Sequence, residues 1–177
     1  RKGELKGKIK LFFQPAEETF YGAQSIVDKG HLDDVMNFIA VHIALSAENK
    51  PLPSHTVACG CRDFLSDRQL DVYLEGKAAH PCGASQEGKN ALLAACSAAL
   101  NIHSIAPHGE IHAGVCANTI APDAMMRIEY RGQKPAISEY AGQRIFDILE
   151  GTAKAYDLKY HYVDYGEVPA GASDYAM

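Results

Sequence analysis

QLDVYLE, residues 69–75, alternates without a break. Leu70, Val72 and Leu74 fall on one side of an extended chain, and Asp71, Tyr73 and Glu75 on the other. One apolar and one polar face is the pattern of a half-buried strand in an antiparallel sheet. The segment 124–131, AMMRIEYR, repeats it, with Met126, Ile128 and Tyr130 opposite Arg127, Glu129 and Arg131. Between the two lie a glycine-rich loop, GKAAHPCGASQEGK (76–89), and an Ala/Leu-rich stretch that predicts a helix over 90–105. After the second strand, Ile137, Tyr140, Ala141, Ile145, Ile148, Leu149 and Thr152 recur at helical steps and predict an amphipathic helix over 137–156. LKYHYV (158–163) reads as another strand, and 111–117 leaves room for one more. The middle of the chain therefore predicts a two-layer α+β sandwich.

Upstream the texture differs. KIKLFF (8–13) and NFIAVHI (37–43) are short apolar runs, with a predicted helix over 22–29 between them, closed by Gly30. Strands alternating with a helix point to an α/β layer with a mostly parallel sheet. The predicted organisation is a partial catalytic domain over 1–65, the sandwich over 66–164, and a return to the first domain over 165–177.

The 177 residues are 47% hydrophobic and 22% charged, the balance of a folded chain. Seventeen basic against 22 acidic residues give a net charge of −5 with no dense basic cluster, which argues against a nucleic-acid partner. No apolar run approaches a membrane span, and the first ten residues lack the apolar core of a signal peptide. The five cysteines, 59, 61, 82, 96 and 116, are odd in number and irregular in spacing. They read as free thiols in a reducing, cytoplasmic compartment. Cys59-Gly60-Cys61 is one residue short of a metal knuckle and has no second pair, so small residues in or near a strand is the preferred reading.

Three residues of the first region carry chemistry. Glu17 and Glu18 follow the run FFQPA directly. Side by side on an extended chain, they point apart: one can ligate a metal while the other takes a proton from water. The plain alternative is a solvated helix start. His42 interrupts an apolar run near its C-terminal end, where open α/β sheets hold their ligands. A core histidine is its plain alternative.

FQPAEE (13–18), SIVDKG (25–30), AVHI (40–43), the whole stretch 76–108, CANTIAPDA (116–124) and IEYRG (128–132) together resemble the aminoacylase and carboxypeptidase-G family of two-metal peptidases and amidohydrolases, in its amidohydrolase branch. The resemblance implies a zinc-peptidase-like mixed-sheet catalytic domain, partial here, with an inserted α+β lid that dimerises. It implies metal-dependent hydrolysis of the amide bond of an N-acyl or N-aroyl amino acid of the aminobenzoyl-glutamate type. Glu17 would be the general base, and Glu18 and His42 metal ligands. His80 would polarise the scissile carbonyl, often across a subunit boundary. Asn118 and Arg131 would bind the substrate's carboxylate end. Without the resemblance these last three read as a loop histidine, a turn residue and part of a solvated face shared with Glu129. The implied cofactor is a divalent metal, two zinc or manganese ions in the complete protein; the implied partner is a second copy or a related subunit. The family's upstream ligand motif and its C-terminal histidine are not in the sequence, and the stretches at 110–111 and 165–171 look short. The chain is therefore expected to be partial, with a catalytically incomplete binding or dimerisation module as the alternative.

Overall fold

The computed structural model describes residues 7–43, 46–47, 50–60, 64–80, 82–105 and 108–174. Cys61 and residues 175–177 lie outside them. The chain divides into two compact units, Arg1–Ala58 and Cys59–Met177.

In the first unit the helix over 22–29 is present as α1, Tyr21–Asp28. Gly22 in its first turn is buried, and a Cβ there would lie 1.7 Å from the Pro15 carbonyl oxygen, so only glycine allows the helix to start against Gln14 and Pro15. The two expected strands are not formed. Residues 8–13 and 37–43 carry no ladder. A strand exists only where a neighbour takes its backbone hydrogen bonds, and none does so among the described residues. Most of their apolar side chains stay outside; Phe13 is 91% and Val41 94% exposed. The β-structure of this unit is a two-rung antiparallel pair, β1 (Ser46–Ala47) with β2 (Lys50–Pro51).

The second unit is the sandwich. Its order is β3 (Ser66–Glu75), α2 (Ala91–Ile102), β4 (His108–Ala113), β5 (Asp123–Gly132), α3 (Pro135–Ala155) and β6 (Lys159–Val168). The four strands form one antiparallel sheet in the order β4-β5-β3-β6. This is the split βαβ arrangement, in which each helix carries the chain over one strand position. Glu110 and Ile111 are consecutive rungs of β4, opposite Arg127 and Met126.

The alternation of β3 and β5 does what it predicts. Leu70, Val72 and Leu74 join Ala124, Met126, Ile128 and Tyr130 in one buried face under both helices. Helix α2 meets it with Ala91, Ala94, Ala95, Ala98 and Ile102, a stripe small enough to bring the helix close to the sheet. Its start is capped by Asn90, whose side chain accepts from the Leu93 N–H at 3.1 Å. Helix α3 buries Ser138, Ala141, Gly142, Ile145, Leu149, Thr152 and Ala153. The expected stripe is thus rotated at its beginning: Ile137 and Tyr140 are outside. Gly142 explains the rotation, because a Cβ there would sit 2.7 Å from the Tyr130 hydroxyl. The helix approaches Tyr130 on its small side. At the far end Asp157 takes φ 53° and the Leu158 N–H returns to the Ala153 carbonyl at 2.8 Å, closing α3.

The helix-free face is polar and cross-linked. Asp71, 2% exposed, receives Nε and Nη2 of Arg127 at 2.8 and 2.9 Å and the Tyr165 hydroxyl at 2.9 Å. The Arg127 guanidinium, with the Tyr165 hydroxyl behind it, holds the Asp71 carboxyl below its usual range against the opposing effect of burial. A depressed folded-state value gives stability that is complete above the ordinary carboxylate range and lost as pH falls through the folded one. Arg127→Gln is therefore expected to lower the thermal midpoint most at neutral pH. The gap to wild type should narrow below about pH 4, as melting curves across pH would show; a pH-independent gap would contradict the assignment.

Candidate functional site

Glu17 and Glu18 do not stand on a strand tip. They open a single 3₁₀ turn, Glu17–Thr19, closed by the Phe20 N–H on the Glu17 carbonyl at 3.2 Å. The turn is flanked by two non-glycine residues in the left-handed region, Ala16 at φ 52° and Phe20 at φ 63°. Such backbone is costly and persists where surrounding structure holds it. Successive side chains of a 3₁₀ turn diverge by about 120° rather than 180°, so the two carboxylates are less opposed than on an extended chain.

One of them meets His42. Glu17 Oε1 lies 3.3 Å from His42 Nε2. On the other side of the ring, Nδ1 is 2.6 Å from the Ile43 carbonyl oxygen. That carbonyl foremost, and then Glu17, with a smaller push from Glu18, raise the imidazole's pKa above its ordinary value. His42 is thus an exposed histidine, not a core one. Glu17→Gln is expected to bring the His42 titration down toward the ordinary histidine value, read from its ring-proton shifts against pH. An unmoved titration would show that the contact does not form in solution.

The donors suit a divalent ion in kind. A ligating histidine usually gives its second ring N–H to a backbone carbonyl, as Nδ1 does here; Nε2, which faces Glu17 in this structure, would be the ligating atom. They do not suffice in number. A catalytic zinc takes three protein ligands, and among the described residues no group of three histidine, cysteine or acidic side chains could hold a metal ion.

The other three residues lie in the second unit, at opposite ends of its sheet. His80 sits in the loop after β3, exposed, its Nδ1 accepting from the Cys82 N–H at 3.3 Å. Lys77 and Lys89 exchange two backbone hydrogen bonds (3.0 and 2.9 Å) that pinch the loop at its base. The Ile120 N–H donates to the Ala79 carbonyl at 3.1 Å, which ties this loop to the one carrying Asn118. Gly88 permits that approach; a Cβ on it would be 2.4 Å from Ile120 Cδ1. His80 and Asn118 are therefore on neighbouring segments. Arg131 is eight residues further along β5 than Asp123, about 27 Å along the strand at ~3.4 Å per residue, and stands at the other end of the sheet.

Arg131 is also engaged. Its Nη2 is 3.0 Å from Asp67 Oδ2, the residue facing it in the ladder, and its Nε is 2.7 Å from Glu129 Oε1. Sequence reasoning placed Arg127, Glu129 and Arg131 on one polar face but did not find Asp67, Asp71 and Tyr165 as their partners. The signal was available only as opposite charges on two alternating strands, and the register that pairs them comes from the fold. Cys59, Cys82, Cys96 and Cys116 are free and exposed. No helix among the described residues is long and apolar enough to cross a membrane.

A family model described as peptidase family M20/M25/M40 matches residues 1–177. The chain is 38% identical over 161 residues to an indole-3-acetyl-aspartic acid hydrolase of Enterobacter agglomerans, covering 86% of this chain and 36% of that protein. It is 39% identical over 163 residues to a p-aminobenzoyl-glutamate hydrolase subunit of Escherichia coli (strain K12), covering 87% and 36%. Among solved structures, an aminobenzoyl-glutamate utilization protein from Klebsiella pneumoniae superposes with a TM-score of 0.72 at 37% identity, over 93% of this chain and 43% of that one. The resemblance drawn from FQPAEE and the motifs after it is borne out. The chain spans between about a third and a half of the length of the curated relatives it matches.

Proposed function

This chain belongs to peptidase family M20/M25/M40, and from that premise we propose that it is part of a metal-dependent amidohydrolase acting on an N-acyl or N-aroyl amino acid with a free carboxylate, such as aminobenzoyl-glutamate. The observation that carries the reading is the Glu17–His42 contact on a strained turn, with the far ring nitrogen of His42 on a backbone carbonyl. Glu18 and His42 would be ligands, together with ligands beyond the described residues. When bound, a divalent ion of the zinc or manganese kind supplies Lewis-acid polarisation of the amide carbonyl. Glu17 takes the proton of the attacking water and returns it to the leaving amine. The first unit is read as part of the catalytic domain, and the sandwich as the lid.

His80 supplies a hydrogen-bond donor for the oxygen of the amide as it gathers charge; Asn118, which the resemblance puts with Arg131 at the carboxylate end, stands on the segment next to His80 and is read as a second donor there. Arg131 receives the carboxylate end. The two sets stand at opposite ends of the sheet, and β5 alone runs about 27 Å from Asp123 to Arg131, farther than one small substrate reaches. They accordingly serve different sites of an assembly containing at least two chains, a second copy or a related subunit.

The test is metal content together with hydrolysis of aminobenzoyl-glutamate by the full-length protein. Stoichiometric divalent metal and turnover that chelation abolishes are expected. A full-length protein with neither metal nor turnover would overturn the reading and leave a binding or dimerisation module.

A further inference from the structure

Arg131 is half exposed, yet two of its nitrogens already face carboxylates of its own sheet. The two acids differ. Asp67 faces Arg131 directly across the ladder and is the more enclosed. Glu129 stands two residues before Arg131 on the same face, and it has a second place to go. Its other oxygen, Oε2, is 3.4 Å from the amide nitrogen of Gln69, the residue facing it on β3.

We propose that Glu129 is a resident competitor on Arg131. It occupies Nε until a ligand carboxylate displaces it, and it then rests on Gln69. This deepens the assignment of Arg131 to the substrate's carboxylate and rests on it. An exposed contact of this kind is weak, while a ligand carboxylate that takes Nε through a charge-assisted hydrogen bond and is held by further contacts of the same ligand is bound more strongly. Glu129 therefore sets a threshold. A ligand with a full carboxylate passes it, and a ligand ending in a neutral amide does not. Glu129 is in this sense a specificity-determining residue, acting through the availability of Arg131.

The test is calorimetric binding of glutarate, a dicarboxylate that cannot be hydrolysed, to the full-length, metal-loaded protein. Glu129→Gln removes one negative charge and keeps the shape. It is expected to tighten glutarate binding about three- to tenfold, the scale of one unit charge near contact in a water-like medium. The gain should vanish in an Arg131→Gln background and be absent for glutaramide, which has no carboxylate. Glu129→Ala should show the same gain, which separates loss of charge from any new contact of the glutamine. Unchanged or weaker binding, a gain that survives in Arg131→Gln, or no glutarate binding by any variant would overturn the proposal. Turnover of aminobenzoyl-glutamate by the same wild-type preparation judges the enzymatic reading separately.

Discussion

Glu17→Gln in the full-length protein is expected to lower amide hydrolysis by roughly 10²- to 10⁴-fold, the usual contribution of a positioned general base, while bound metal is retained. Glutamine keeps the size and one oxygen of the glutamate but cannot accept a proton at neutral pH. Because the acidic pair sits on a closed 3₁₀ turn, and Glu17 makes no buried contact, the substitution leaves the turn's backbone bond from Phe20 untouched. Glu18→Gln is the control, and it is expected to lose metal and activity together. Metal analysis beside steady-state rates distinguishes the two. If Glu17→Gln releases the metal, Glu17 is a ligand, and the assignment within the pair is reversed.

Leu149→Ala is expected to cost about 2–5 kcal/mol of stability, the range for emptying a buried leucine site. Leu149 is fully buried between α3 and the sheet, in the cluster with Ile145, Ile128 and Leu70. Ile137→Ala on the same helix is expected to change stability by no more than about 0.5 kcal/mol, as exposed positions usually do, since Ile137 lies on the outer face. Thermal or denaturant unfolding of the two variants measures this directly. Equal losses would mean that α3 is rotated back toward the stripe that hydropathy alone predicts.

That rotation shows where the reading of residues stops. Spacing located α3 correctly, because helical period is a local property. Which face of the helix turns inward at its start was decided by Tyr130 on β5, whose hydroxyl admits only the Gly142 side. The first unit shows the same limit. KIKLFF and NFIAVHI carry a strand-like pattern, but pattern alone makes no ladder, and no neighbouring backbone completes one among the described residues. The acidic pair was recognised by its residues, while its turn, set between two left-handed residues, has no signature in AEETF.

By itself, then, the sequence determined the alternating strands, the helices between them, the family, and the short list of residues able to do chemistry. All of these rest on neighbours within a few positions or on motifs read in order. The tertiary structure alone decided that His80 and Asn118 share one end of the sheet and Arg131 the other, that Glu17 is the carboxylate touching His42, and that Arg127 and Arg131 are already paired. The facts of the sheet depend on strand order and register between residues as far apart as Asp67 and Arg131, and the Glu17–His42 contact depends on how the turn at Glu17–Thr19 and the segment 37–43 come together. A one-residue change of register would exchange every such pair, and no local pattern carries that information.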